Sequence, residues 1–305
     1  MATARFDDRV AVVTGAGRGL GREYALLLAR LGAKVVVNDS GGALTGEGDD
    51  SGPAQQVVDE IVAAGGEAIA STESVATAVG GQAIVGAAVQ RYGRIDVLIH
   101  NAGIVRSAPL CEMAGEDFDA VLDVHLRGAF HVVRSAFPVM CRAGYGRVVL
   151  TSSIGGLYGN HAVANYAAAK AGVIGLSDVV ALEGADHGVR CNVIVPAAVT
   201  RMAEGLDTSA YPPMGPDLVA PVVGWLAHES CSVTGEILTA IAGRVARVVV
   251  AESIGVYQPE WSIDQVAARI EEIRDINDPL VFPVVPDGHS AHIGHSFGMA
   301  RGTDD

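Results

Sequence analysis

Residues 9–21 read Arg9-Val10-Ala11-Val12-Val13-Thr14-Gly15-Ala16-Gly17-Arg18-Gly19-Leu20-Gly21. The first six form an apolar, β-branched run of the kind that makes a strand buried on both faces. Four glycines follow at alternate positions, and an Ala/Leu-rich stretch with helical spacing starts at once over 21–31. Glycines between a strand and a helix serve a dinucleotide: Gly15 allows the tight turn, Gly17 and Gly19 let the backbone approach a ligand, and Gly21 permits close helix–strand packing. A pyrophosphate then rests on the open amides of the helix N-terminus, favoured by the helix dipole.

Beyond this unit the pattern repeats. Further strands are expected over 34–38, 68–72, 97–101, 146–152 and 190–195, with a weaker one near 245–250. Helices are expected over 21–31, 52–64, 80–92, 115–143, 163–188 and 218–228. Alternating strands and helices predict an α/β fold, a doubly wound parallel sheet of Rossmann type with helices on both faces. One domain is expected over residues 1–250. Residues 251–305 form an extension, one amphipathic helix over 261–276 followed by a Gly/Pro/His-rich tail that packs on the core or on a partner subunit.

The second strand ends at Asn38-Asp39, 24 residues beyond Gly15. A carboxylate there hydrogen-bonds a ribose diol and repels a 2′-phosphate, which favours NAD. Arg18, a cation inside the loop, pulls toward NADP.

The 305 residues carry 38 glycines, 50% apolar and 18% charged residues, and a net charge of −14. An apolar fraction of this size excludes disorder, and the negative field disfavours nucleic acid and anionic membrane surfaces as partners. Cys111, Cys141, Cys191 and Cys231 have neither disulfide nor metal spacing and read as buried thiols in a reducing compartment. With no signal-peptide stretch and no apolar run of membrane length, a soluble cytoplasmic protein is expected. His289, His292 and His295 are spaced by three in a glycine-broken segment without interleaved carboxylates or thiols, so no metal site is expected.

In Asn165-Tyr166-Ala167-Ala168-Ala169-Lys170 the tyrosine and lysine are four apart and share one helix face. A nearby ammonium is one way to stabilise a phenolate. Thr151-Ser152-Ser153 ends a strand 13 residues before Tyr166, and Asn101-Ala102-Gly103 ends an earlier one. With these motifs in order, residues 5–245 resemble the short-chain dehydrogenase/reductase family. That resemblance implies Tyr166 as general acid/base, Lys170 lowering its pKa and holding the nicotinamide ribose, and Ser153 orienting the reacting oxygen. Ser152 competes for this last role, although strand alternation points it to the opposite side. His125 stands where many members have an Asn that holds a relay water; the imidazole either takes that role or is simply packed. The implied cofactor set is Gly15, Gly17, Arg18, Gly19, Leu20, Gly21, Asp39, Glu73, Ser74, Val75, Asn101, Ala102, Gly103, Tyr166, Lys170, Pro196 and Thr200. Asn101 and Gly103 would shape the cofactor-side floor, and Glu73 would lie near the adenine.

The stretches 35–42, 124–128, 159–170 and 219–231 are similar to the group containing D-specific 3-hydroxyacyl-CoA dehydrogenases and 17β-hydroxysteroid dehydrogenase type 4, in its free-standing bacterial form. The resemblance implies NAD-dependent interconversion of a secondary alcohol and a ketone on an acyl-CoA or steroid by a homodimer or homotetramer. A lid over 201–217 and an apolar pocket from Leu157, Tyr158, Met202, Leu206, Tyr211 and Met214 would hold the substrate, with Arg106 and Arg201 toward a CoA phosphate. The alternatives are an NADPH-dependent 3-oxoacyl reductase and a catalytically silent NAD-binding sensor.

Overall fold

Valine-rich runs too apolar to face water pair side by side, parallel and in register. In the computed structural model, which describes residues 4–200 and 210–302, β1 (Val10–Thr14) pairs with β2 (Lys34–Asn38) so that Val12 faces Val36. β2 in turn pairs with β3 (Glu67–Ser71). On its other side β1 pairs with β4 (Val97–His100), followed by β5 (Gly146–Thr151), β6 (Val189–Ala197) and β7 (Ile237–Ile241). β8 (Arg244–Val248) completes the sheet order 3-2-1-4-5-6-7-8. The order reverses between β1 and β4, and such a switch point opens a crevice beyond the carboxyl ends of those strands.

Alternation along each strand assigns the faces. Ala11 and Val13 of β1 belong to a core that includes Tyr24, Ala25 and Leu28 of α1 (Gly19–Arg30), Val57 and Ile61 of α2 (Gly52–Ala63), and a later helix, Ala220–Ala227. The opposite face is covered by α3 (Ala78–Tyr92), α5 (Gly128–Ala143) and α7 (Ala164–Gly184), with α4 (Gly115–Leu122) and the short α6 (Ile154–Tyr158) packed against α7. Ala220–Ala227 is α8.

Several expectations are corrected. The helix expected over 115–143 is interrupted by a π-helical turn at Asp123–Arg127 between α4 and α5. The helix expected over 163–188 ends in a 3₁₀ turn at Ala185–His187. β7 was not anticipated; it is five residues long and follows a glycine-broken loop. The strand expected near 245–250 is β8, and its two-residue link, Ala242 and Gly243 with φ of 48° and 80°, makes it antiparallel to β7.

Chain contacts divide into two compact units, Met1–Arg247 and Val248–Asp305. In the second, the single helix expected over 261–276 is broken at Arg269 into α9 (Ile263–Ala268) and α10 (Ile270–Ile273). The Gly/Pro/His-rich tail folds into α11 (Gly288–Arg301), capped by the Asp287 carboxylate, which accepts from Ser290 N–H at 3.1 Å. His289, His292 and His295 lie on this helix, and His292 pairs with Glu252 at 3.1 Å. Of the four thiols expected to be buried, only Cys191 and Cys231 are; Cys141 is half-buried on α5, and Cys111 is exposed in the loop before α4. No helix among the described residues is long and apolar enough to cross a membrane.

Candidate active site

The carboxyl ends of β1, β4 and β5 gather the polar residues. The Thr14 hydroxyl accepts from the Asn101 and Ala102 N–H groups at 3.1 and 3.2 Å and lies 3.0 Å from His100 Nδ1. With two donors already on its oxygen, Thr14 gives its proton to Nδ1, and the His100 Nε2–H then points to the His125 carbonyl, 3.2 Å away. Burial pushes the His100 imidazole down to about 3, so the ring is neutral. Asn101 Nδ2 donates to the carbonyls of Gly15 and Thr14 at 3.1 and 3.4 Å. The second turn therefore clamps the glycine loop.

The loop has the shape a dinucleotide requires. A Cβ on Gly21 would stand 2.2 Å from the Gly15 carbonyl oxygen, so only glycine fits there. Among the described residues neither a capping side chain nor an acidic residue occupies the first turn of α1, an arrangement that suits an anion. Asp39 sits against the loop, Oδ2 accepting from Gly17 N–H at 2.8 Å and Oδ1 from Gly41 N–H at 2.7 Å. Arg18 reaches the Gly42 carbonyl at 3.5 Å, and Thr200 lies beside Gly19. A glycine cradle, open amides and a fixed carboxylate at the end of β2 fit the pyrophosphate and adenosine ribose of a nicotinamide dinucleotide.

The remaining expected cofactor residues are more dispersed. Leu20 is partly buried in the first turn of α1, and the Glu73 side chain is exposed while its carbonyl accepts from Asn38 Nδ2 at 2.9 Å. Ser74 Oγ accepts from Ala76 N–H, and Val75 is buried. Pro196 pairs with Ala240 near the end of β6.

The catalytic candidates meet where α6 and α7 approach β5. Ser153 caps α6 by accepting from Gly155 N–H at 3.1 Å, while Ser152 is buried on the other side and donates to the Lys170 carbonyl at 2.7 Å. Ser152 thus braces α7, and Ser153 faces Tyr166. Burial pushes the Tyr166 phenol up, and the Ser153 hydroxyl beside it pulls the other way. The expected depression of this pKa by Lys170 is not what the arrangement produces. Lys170 Nζ lies 5.7 Å from the Tyr166 ring centre and donates to the Thr151 carbonyl at 2.6 Å. Burial lowers the lysine itself to about 7, so near neutrality it is no fixed positive charge.

His125 occupies the π-helical turn, its ring edge-on to Tyr166 at 5.1 Å between centres. Its Nε2 lies 2.8 Å from the Ile104 carbonyl and 3.0 Å from the Ile104 nitrogen. Nε2 accepts from the Ile104 N–H in one tautomer and donates to the Ile104 carbonyl in the other, and Nδ1 is the donor or the acceptor accordingly. Nδ1 and the Thr151 hydroxyl are buried polar atoms without a protein partner among the described residues. Burial and the nearby Lys170 hold the imidazole well below its usual value. Gly103 makes room for the ring, since a Cβ there would fall 2.4 Å from His125 Cε1.

On the substrate side Leu157 is partly buried, Tyr158 and Tyr211 are exposed, and the Met214 carbonyl accepts from Val199 N–H at 2.7 Å. Arg106 is engaged within the protein, donating through Nε to the Thr45 carbonyl at 2.9 Å and through Nη1 to Asp117 at 3.0 Å. Arg201, Met202 and Leu206 lie outside the described residues. Three participants escaped the sequence reading: Thr14, His100 and Asn165. Their only signal was adjacency, since His100 precedes the Asn101 turn and Asn165 precedes Tyr166.

Residues 9–209 match the short chain dehydrogenase family, and the chain belongs to that family of oxidoreductases. Over 89% of its length it is 47% identical to the peroxisomal multifunctional enzyme type 2 of Drosophila melanogaster, and it covers 45% of that protein, less than half of its length. It is 44% identical to a protein of Mycobacterium tuberculosis named as a short-chain type dehydrogenase/reductase, across 88% of this chain and 95% of the other. The crystal structure of a short chain dehydrogenase from Mycobacterium avium matches with a TM-score of 0.77 at 38% identity, covering 88% of this chain and 95% of that one.

Proposed function

We propose that the chain is an NAD-dependent dehydrogenase that oxidises the secondary alcohol of a 3-hydroxyacyl-CoA thioester or a hydroxysteroid to the ketone. The observation that carries the cofactor choice is Asp39: its carboxylate is fixed by two backbone amides at the ribose end of the loop, where it would repel a 2′-phosphate. The substrate class is supported by the similarity to a peroxisomal multifunctional enzyme.

NAD, when bound, supplies the hydride acceptor. Ser153 hydrogen-bonds the substrate oxygen and orients the carbinol carbon. Tyr166 releases its own proton toward the buried polar spot shared by Lys170 and His125, and takes the hydroxyl proton as the C–H hydride leaves. A lysine titrating at about 7 is matched to receive and release a proton near neutrality. His125 Nδ1, a buried polar atom of a neutral ring, anchors the water through which that proton departs. In this reading the chemistry belongs to residues 1–250, with 251–305 as an extension.

A panel of 3-hydroxyacyl-CoA thioesters of several chain lengths and 17β-hydroxysteroids, each assayed with NAD and NADP, tests the proposal. Saturable NAD reduction with one of these classes is expected. Turnover confined to sugars or polyols would refute the substrate class, and a strong NADP(H) preference would refute the cofactor and favour the reductase reading that Arg18 allows.

A further inference from the structure

Residues 104–108, the extended segment after the Asn101 turn, make more backbone contacts with the catalytic groups than a connecting loop requires. The backbone of Ile104 holds His125 Nε2. The Arg106 carbonyl accepts from Asn165 Nδ2 at 2.9 Å, and the Ala108 N–H donates to the Ala162 carbonyl at 2.9 Å. Ala162 has φ of 60°, a conformation costly for a residue with a Cβ, at the very entry to α7. Outside the site the same segment is tied down by the β2–α2 loop, through Val105 N–H to the Leu44 carbonyl at 3.0 Å and Arg106 Nε to the Thr45 carbonyl.

Asn165 is fully buried and uses both ends of its amide. Nδ2 also donates to the Asp117 carbonyl of α4 at 3.1 Å, while Oδ1 accepts from Tyr166 N–H at 2.7 Å. The last bond satisfies one of the free N–H groups of the first turn of α7, where Val163 provides no side-chain cap.

We propose that Asn165 is a positioning residue for the reaction: it ties the backbone of Tyr166 to the segment that also holds His125, so that acid/base and relay keep one spacing. The proposal rests on the reading of Tyr166 as the proton-transferring group. A simple helix-capping role and a tethering role separate in Asn165→Asp. Aspartate keeps an acceptor for Tyr166 N–H and suits a helix N-terminus, but it loses both donors and turns a carboxylate toward two carbonyl oxygens.

The test measures single-turnover hydride transfer, NAD affinity without substrate, and thermal unfolding in the full chain. For Asn165→Asp a fall of roughly 10- to 100-fold in hydride transfer is expected, with NAD affinity unchanged. In a Tyr166→Phe background the same substitution is expected to add no further loss, because Asn165 acts through Tyr166. Where Asn165→Asp does not yield folded protein, Asn165→Ser carries the same comparison. Wild-type hydride transfer in the folded variant, or a loss that persists in the Tyr166→Phe background, overturns the proposal while leaving the catalytic reading in place. Full activity of Tyr166→Phe itself overturns that reading and the proposal with it.

Discussion

Asp39 and Lys170 show how a residue type acquires its role from its surroundings. Asp39 has both carboxylate oxygens engaged by backbone amides, so its charge stays at the ribose end of the loop. Asp39→Ser removes the repulsion toward a 2′-phosphate while Arg18 remains close. It is expected to lower kcat/KM for NAD and raise it for NADP, each by about tenfold, or ~1.4 kcal/mol. An unchanged ratio of the two would count against Asp39 as the selector. Tyr166 and Lys170 were legible as a pair because a spacing of four puts them on one helix face, whereas Ser153, on a different element, entered only through the family resemblance. Lys170 as a modifier of the tyrosine was not legible: its own burial decides its charge, and burial is a tertiary property. His100 and Asn165 were illegible for the same reason, since a lone polar residue in an apolar run announces nothing until its partners are known.

At the scale of elements, the strands of the parallel sheet were plain in the sequence, because a strand buried on both faces has to be an apolar run. What failed was subtler. A π-helical turn conserves the amphipathic look of a long helix while shifting its register, so the break that presents His125 was hidden within one apparent helix. Glycines at 288, 294 and 298 masked α11, which tolerates them behind the Asp287 cap. The β7–β8 link offers a direct test of backbone fit. Ala242 holds a positive φ in a turn that prefers Asn-Gly. Ala242→Asn is expected to stabilise the fold by ~0.5–1 kcal/mol, read as a higher midpoint in denaturant at unchanged m-value. An unchanged or lower midpoint would show that the turn carries no such strain.

For the molecule as a whole, burying Lys170 links folding to pH. Its value falls from 10.5 in the unfolded chain to about 7 in the fold, so between these limits the unfolded state binds more protons. Stability contributed at this position rises with pH across that window: the cost of burying the ammonium is absent above 10.5 and complete below about 7. Wild-type protein is therefore expected to gain unfolding free energy relative to Lys170→Met between pH 7 and pH 9. Parallel pH dependences of the two would contradict the burial of a titrating lysine.

The valine runs of β1, β2, β5 and β6 are harmless only while each lies between two neighbours. The charges that could discourage a foreign strand stand at the sheet's two margins: Glu67 on β3, paired with Lys34 and Arg91, and Arg244 and Arg247 on β8. Such gatekeepers act when the sheet is assembled, and the inner strands carry few of their own. Refolding from denaturant should thus lose yield to aggregation as protein concentration rises, even where the finished fold stays monodisperse, because the inner segments have the composition of cross-β zippers.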